Sequence, residues 1–240
     1  MSFRSLLTSF YDLFDSILNI FFPHVCISCE QKIDDSKELY CLECQHQARI
    51  TDLHQYKTNQ FTEHFPTLSH LQSGCAMYFY IKGGRVQQAL ELLKYKNKAD
   101  IGKRLGLHYG HLLKKSDLYK NIQFIIPVPL HTKKLALRGY NQSEYFAMGL
   151  AESMNATVQT EIIYRRKDTK TQTEKNRMER IENMRQAFYC KSSFDLNDRY
   201  VLLVDDILTT GATLQSCAEV LLEKYPNVKL YMATIAIGNN

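Results

Sequence analysis

The sequence predicts an α/β fold with a parallel β-sheet, together with a small cysteine-rich module near the N-terminus. The continuous apolar run at residues 201–204 is typical of a strand that is buried on both faces, as in a parallel sheet. Small residues and a helical apolar pattern follow it, which completes a strand–turn–helix unit. Two closely spaced cysteine pairs within residues 26–44 predict the module.

The end of this strand predicts a site for a phosphate and a metal ion. Asp205 and Asp206, here called the acid pair, fall at the carboxyl end of the strand, where parallel sheets bind ligands. The turn at residues 209–213 offers hydroxyls and backbone N–H groups at a helix N-terminus, which attracts anions. Carboxylates beside such a turn indicate a polyol phosphate with Mg²⁺. The alternative is an ordinary strand–turn–helix with an Asp near the helix N-cap, and two acids before a Thr-Thr-Gly-Ala-Thr turn argue against it.

Length and composition limit the class of protein. A chain of 240 residues holds one sizeable domain and a small appendage. We expect an N-terminal helix and zinc module over residues 1–50 and the main domain over residues 51–240. The net charge of +5 permits phosphate-rich partners without requiring nucleic acid. Acidic residues interrupt the first apolar stretch, so we expect no signal peptide, no membrane span and a cytoplasmic location.

Residues 3–22 predict an amphipathic helix that ends at Pro23. Packing of its apolar stripe against the rest of the chain is the simplest interpretation, and docking on a partner or a membrane surface is the alternative.

The four N-terminal cysteines predict a zinc site. Two Cys-x-x-Cys pairs, separated by eleven residues with a turn signal, suit tetrahedral Zn²⁺ bound by four thiolates: Cys26, Cys29, Cys41 and Cys44. Such a closed ligand set indicates a structural ion with no open position for chemistry. A disulfide alternative requires an oxidising compartment. His24 and His46 lie nearby, but four cysteines already complete the ligand set.

Two cationic segments predict further contacts with phosphate. The first follows a strand at residues 122–130 that ends in prolines, and it contains Lys133, Lys134 and Arg138. In a loop at the carboxyl end of that strand, these cations would neutralise a pyrophosphate, although a solvated basic turn is the alternative. The second segment, residues 165–188, is either an active-site lid or a basic surface for nucleic acid.

The stretch from Asp205 to Thr213 resembles the phosphoribosyl pyrophosphate (PRPP) loop of type I phosphoribosyltransferases. The resemblance implies that fold, and PRPP bound with Mg²⁺. It implies that the acid pair binds the ribose hydroxyls and that these two residues are the catalytic carboxylates. It also implies that the 5′-phosphate is held by Thr209, Thr210, Gly211, Ala212 and Thr213.

Further motifs resemble the ComF family of proteins linked to natural competence. They are Arg-Gly-Tyr-Asn-Gln at 138–142, Thr-x-x-Gln at 169–172 and Glu-Arg-x-x-Asn at 179–183, combined with the Cys-x-x-Cys pairs. Lys175 departs from the family pattern, in which a leucine is common at this position. The resemblance implies a phosphoribosyltransferase-like protein that acts in DNA uptake. Its implied partners are PRPP, single-stranded DNA, and a competence helicase or other DNA-uptake proteins.

Two functions remain open from the sequence. The first is an enzyme that transfers a pentosyl group from PRPP to an unknown acceptor, with His131 a candidate base by position only. The second is a non-catalytic PRPP sensor or single-strand DNA-binding factor, in which Tyr95, Tyr140 or Tyr164 would stack on bases. For these tyrosines, a place in the core or at the rim of the domain is the simpler interpretation.

Overall fold

The computed structural model of the chain describes residues 24–33, 38–95, 98–166, 187–191 and 194–238. The helix predicted at residues 3–22 lies outside the described residues, as does most of the predicted lid. No helix within the described ranges is long and apolar enough to cross a membrane.

A five-stranded parallel sheet forms the centre of the molecule, and this confirms the predicted fold class. The order across the sheet is β1-β7-β6-β2-β3. A separate antiparallel pair joins β4 and β5. In chain order the strands are β1 (Leu71–Tyr80), β2 (Phe124–Pro127), β3 (Thr157–Val158), β4 (Ile163–Arg165), β5 (Phe188–Cys190), β6 (Tyr200–Leu208) and β7 (Lys229–Gly238).

Burial explains why the central strands read as unbroken apolar runs. Residues 201–204 of β6 are completely buried, because β6 lies in the middle of the sheet and helices flank the sheet. The neighbouring β7 is buried over residues 230–237. Such strands need apolar side chains on both faces, which is the pattern that predicted them.

Six helices accompany the strands in the described part of the chain. They are α1 (Leu42–Gln47), α2 (Arg85–Leu92), α3 (Ala99–Lys115), α4 (Thr132–Arg138), α5 (Gln142–Met154) and α6 (Ala212–Lys224). Short 3₁₀ turns lie at Leu53–Gln55 and Thr62–His64.

The side of the sheet on which the chain adds its next strand changes between β2 and β6. From β2 the chain passes through α4 and α5 to β3 on one side, and from β6 it passes through α6 to β7 on the other. The crevice at the carboxyl ends of β2 and β6 is therefore the expected ligand site of this sheet.

The N-terminal residues, 24–33 and 38–47, form a compact unit that we call the four-cysteine module. Val25 pairs with Lys32 across its first cysteine pair, and of the second pair Cys41 caps the N-terminus of α1 and Cys44 lies on it. The chain then runs antiparallel to β1: the Phe79 N–H donates to the Arg49 carbonyl oxygen at 2.9 Å, and the Thr51 N–H donates to Met77 O at 2.9 Å. Residues 49–51 thus cover the outer edge of β1, which would otherwise expose unpaired backbone groups.

Close contact between α3 and α5 depends on glycine. A β-carbon at Gly149 would lie 2.1 Å from the Lys103 carbonyl oxygen, and one at Gly106 would lie 2.2 Å from the Phe146 carbonyl oxygen. Backbone atoms cannot move aside individually, so any side chain at these positions separates the helices.

We therefore expect Gly149→Ala to lower the free energy of unfolding by roughly 1–2 kcal/mol, measured by urea denaturation. Overpacking costs ~1–3 kcal/mol, and this outweighs the ~1 kcal/mol that alanine contributes over glycine inside a helix. Met148→Ala is the control, because Met148 is 38% exposed on the same helix. A Gly149→Ala protein as stable as the wild type would show that the two helices do not require this close approach.

Candidate functional site

The acid pair lies at the carboxyl end of β6, the middle strand of the sheet. Val204 is in register with Pro127, the last residue of β2, so Asp205 and Asp206 extend just beyond the neighbouring strand. The Ser143 hydroxyl donates to Asp205 Oδ1 at 2.8 Å, and the Asp206 N–H donates to the same oxygen at 2.9 Å. The carboxyl of Asp205 is thereby oriented by α5, an element distant in sequence.

Burial raises the pKa of both members of the acid pair. The Asp205 pKa rises to about 7, first because the group is largely removed from water and second because the Asp206 charge is adjacent. For Asp206, burial raises the pKa, whereas the charges of Lys94, Arg138 and Lys134 lower it. Both carboxylates can be ionised at the same time only if nearby positive charges stabilise them. A bound metal ion would supply such a charge, as the cationic side chains do.

The turn after β6 forms a small open cavity, which is lined by Asp205, residues 207–213 and Leu214. Gly211 has the left-handed φ of 78°, and a β-carbon there would also lie 2.9 Å from the Phe65 ring. No side chain caps the N-terminus of α6, which begins at Ala212. The first N–H groups of this helix therefore remain available to an anion.

Thr209 and Thr210 are exposed at the mouth of this cavity, and Thr213 is half-buried in the first turn of α6. Together with Gly211 and Ala212, they surround the same space. The structure thus brings the five predicted phosphate residues together beside the acid pair.

The predicted basic loop after β2 forms the helix α4 instead. His131 caps it by accepting the Lys133 N–H at 3.1 Å, and Gly139 ends it with a φ of 82°. Every residue of α4 except Arg138 is exposed, so no apolar stripe marks this helix in the sequence. The charges of Lys134 and Arg138 act on Asp206, and Lys133 lies next to Lys134 on α4.

Residues 140–143 join the elements around the crevice, and the sequence did not reveal this role. The Tyr140 hydroxyl contacts the carbonyl oxygens of Leu93 and Tyr95. The Asn141 side chain donates to Val128 O at 2.9 Å, which fixes the chain just after β2. Ser143 then binds Asp205. The Arg-Gly-Tyr-Asn-Gln motif marked this segment, but only the fold shows which atoms it contacts.

The described ends of the predicted lid lie at the β4–β5 hairpin. The Arg165 charge acts on Asp205, and its guanidinium lies 5.2 Å from the centre of the Phe188 ring. Tyr164 and Tyr189 stack with ring centres 5.5 Å apart, and the Arg166 guanidinium lies 5.9 Å from the Tyr189 ring. Residues 167–186, which carry the other predicted lid motifs, lie outside the described residues.

The sulfur atoms of Cys26, Cys29, Cys41 and Cys44 all lie within 4.8 Å of one another. The Cys29 and Cys41 sulfurs are 3.7 Å apart. A tetrahedral zinc ion with Zn–S bonds of ~2.3 Å requires sulfurs about 3.8 Å apart, so this cluster could hold such an ion.

The environments of these thiols differ. Burial raises the pKa of Cys26, but backbone N–H groups of Cys29, Cys41 and Ser28 lower it to about 7. Burial raises the pKa of Cys44. Backbone N–H groups directed at a cysteine sulfur favour the thiolate, which is the form that binds a metal.

Comparison with known proteins agrees with the fold. The family model described as "Phosphoribosyl transferase domain" matches residues 141–236, a range that includes the acid pair and its turn. The chain is 27% identical to competence protein F of Haemophilus influenzae over 224 residues, which cover 84% of this chain and 92% of that protein.

Two further proteins match shorter parts of the chain. The DNA utilization protein YhgH of Escherichia coli K12 is 31% identical over 98 residues, or 41% of this chain and 42% of that protein. The competence protein ComFC of Bacillus subtilis is 26% identical over 146 residues, or 60% of this chain and 57% of that protein. Together with the parallel sheet, the acid pair and the four-cysteine cluster, these matches support a ComF-family, type I phosphoribosyltransferase-like protein.

Proposed function

We propose that the chain binds PRPP together with Mg²⁺ in the crevice between β2 and β6. The observation that carries this proposal is the acid pair, which lies beside the uncapped N-terminus of α6. PRPP combines the groups that these two features bind, namely a diol and phosphates that chelate a metal ion.

The acid pair would bind the ribose. Asp205 and Asp206 accept hydrogen bonds from its 2′- and 3′-hydroxyls, and one of them approaches the Mg²⁺ ion. Since Ser143 already donates to Asp205 Oδ1, the Oδ2 atom is the one that we propose for the ligand. A ligand that brings a divalent cation also offsets the charge repulsion within the acid pair.

The two phosphate ends of PRPP would bind on either side of the acid pair. The 5′-phosphate lies in the cavity of residues 209–213, where it accepts hydrogen bonds from backbone N–H groups and threonine hydroxyls. The pyrophosphate faces α4, where Lys133, Lys134 and Arg138 offset its charge.

This arrangement suits pentosyl transfer to an acceptor. An acceptor nucleophile bonds to C1 of the ribose as the C1–O bond breaks, and pyrophosphate leaves with the electron pair of that bond. The transition state resembles an oxocarbenium ion, so positioning and charge neutralisation contribute most of the catalysis. His131 serves as the N-cap of α4 in the structure, and we assign it no role as a base.

Replacing the acid pair tests the proposed site. We expect Asp205→Asn/Asp206→Asn to weaken Mg²⁺-dependent PRPP binding by on the order of 100-fold or more, measured by isothermal titration calorimetry. The reason is that two charge-assisted hydrogen bonds, each worth ~1.5–3 kcal/mol, become neutral and the metal loses its carboxylates.

Asp198→Asn is the matched control for this experiment. Asp198 precedes the opposite end of β6, and its φ of 59° suits asparagine as well as aspartate. Unchanged PRPP affinity in the double variant would contradict the proposed site.

We further propose that the protein acts in DNA uptake, in the cytoplasm, as a phosphoribosyltransferase-like protein. The support is its similarity to proteins named competence protein F, ComFC and DNA utilization protein. By the same argument its partners include single-stranded DNA and a competence helicase or other DNA-uptake proteins.

We propose that residues 1–50 and 51–240 form the two units of the chain. We also propose that Zn²⁺ occupies the four-cysteine cluster of the first unit as a structural ion. Four cysteine sulfurs within 4.8 Å of one another, one pair of them at the tetrahedral spacing, support the ion. Such an ion supplies folding free energy to the module and no chemistry to the crevice, because its four ligands leave no open position.

Metal analysis tests the zinc site. We expect about one zinc per chain in the wild type, and Cys41→Ser should lose most of it because three thiolates bind the ion far more weakly. Cys190→Ser is the control, since Cys190 lies on β5, outside the cluster. A metal-free preparation that remained fully folded and active would exclude a structural zinc ion.

A second candidate function is binding of single-stranded nucleic acid without turnover. The observation that favours it is the β4–β5 hairpin, where Tyr189 is 36% exposed, stacks on Tyr164 and lies beneath Arg166. Aromatic rings beside cations stack on bases and contact the nucleic-acid backbone.

Pyrophosphate release separates the two functions. An enzyme releases pyrophosphate from PRPP when a suitable acceptor is present, and Tyr189→Ala should leave this release unchanged. A binding factor releases no pyrophosphate with any acceptor. Its affinity for single-stranded DNA falls as the salt concentration rises, and Tyr189→Ala lowers that affinity roughly five- to tenfold. Fluorescence anisotropy measures the DNA affinity.

A further inference from the structure

The connection between α2 and α3 lies between the crevice and the four-cysteine module. Its described residues are Leu93, Lys94, Tyr95 and Lys98, which we call the α2–α3 connector. These residues contact the crevice on one side and the module on the other, so they join two sites that are separate in the sequence.

Tyr140 holds the connector on the crevice side. Its hydroxyl lies within hydrogen-bonding distance of the carbonyl oxygens of both Leu93 and Tyr95, at 2.8 Å for Tyr95. Tyr140 is three residues before Ser143, which binds Asp205. The backbone on both sides of Lys94 is therefore fixed by the same segment that orients the acid pair.

The charge of Lys94 acts on Asp206 of the acid pair. Its side chain is exposed, and among the cations that lower the Asp206 pKa it has the largest effect. Lys134 and Arg138 act on Asp206 from α4, whereas Lys94 acts from the connector. The crevice therefore has a cation on the side where the chain approaches the four-cysteine module.

The four-cysteine module holds the connector on its other side. Lys98 forms an ion pair with Glu30, which directly follows Cys29 in the first cysteine pair. A second contact supports α2 itself, where the Ser28 hydroxyl donates to Gln88 Oε1 at 3.0 Å. The position of the connector thus depends on the module as well as on Tyr140.

We propose that Lys94 contacts the phosphates of the ligand bound at the acid pair, and that the four-cysteine module positions Lys94 through the Glu30–Lys98 ion pair. This inference rests on the proposed PRPP site, and it makes ligand affinity depend on an intact module. Lys94 is then a ligand-binding residue, and Glu30 and Lys98 are positioning residues.

The first experiment measures Mg²⁺–PRPP affinity by calorimetry in Lys94→Met. We expect about tenfold weaker binding and a smaller dependence on salt, because one cation–phosphate contact is lost, while Lys94→Arg keeps most of the affinity. Lys115→Met is the control: this exposed lysine ends α3, whose 17 residues span about 25 Å. Affinity in Lys94→Met within twofold of Lys115→Met would overturn the proposal.

The second experiment tests the positioning role with two matched variants of the module. Glu30→Gln breaks the ion pair to the connector, whereas Glu43→Gln breaks the ion pair of the module with Arg85 on α2. Exposed ion pairs contribute ~0.2–1 kcal/mol, so we expect PRPP binding to be about 1.4- to fivefold weaker in Glu30→Gln and unchanged in Glu43→Gln. Equal effects of the two variants would overturn the positioning role.

A double variant shows whether Glu30 acts through Lys94. In the Lys94→Met background, Glu30→Gln should cause no further loss of affinity, because the residue that it positions is gone. Zinc content should remain at the wild-type level in all these proteins, which excludes a collapsed module. Additive losses would overturn the proposed path.

The same measurements distinguish this inference from the proposed function. If Asp205→Asn/Asp206→Asn abolishes PRPP binding and Lys94→Met does not weaken it, the PRPP site stands and the role of Lys94 is wrong. If the double aspartate variant binds PRPP as the wild type does, the proposed site itself is wrong.

Discussion

The crevice depends on the placement of two adjacent carboxylates at the end of a buried strand. Burial raises the cost of ionising both Asp205 and Asp206, and the adjacent Asp206 charge adds to that cost for Asp205. The surrounding fold offsets it with cations from three places in the chain: the α2–α3 connector, α4 and the start of the β4–β5 hairpin. The described residues supply four such charges to two carboxylates, which leaves the crevice suited to a polyanion.

A short segment, residues 139–143, organises these elements. Gly139 ends α4 in the left-handed region, Tyr140 fixes the connector, and Asn141 fixes the chain after β2. Ser143 completes the arrangement with its hydrogen bond to Asp205. Each contact is a single hydrogen bond of modest strength, but together they define where the acid pair lies relative to its cations. This explains how a motif with little apolar content can be central to the site.

Local patterns predicted the regular elements well and the irregular ones poorly. The apolar run at residues 201–204 predicted the strand that β6 forms, because a buried apolar run is a local property. The two-residue strand β3 and the β4–β5 hairpin are too short to leave a periodic pattern, and pairing across the fold defines them. The helix α4 was predicted as a loop because it buries almost no side chain and so shows no apolar stripe.

The sequence alone determined the fold class, the acid pair with its turn, and the four-cysteine cluster, because each depends on residues close together in the chain. Only the tertiary structure showed that Ser143 binds Asp205, a residue 62 positions away, and that Lys94 and Arg165 direct their charges at the same crevice. These contacts arise where separate strands and helices end at one edge of the sheet. The spacing of residues along the chain does not indicate which of its many lysines, arginines and serines lie at this edge of the sheet.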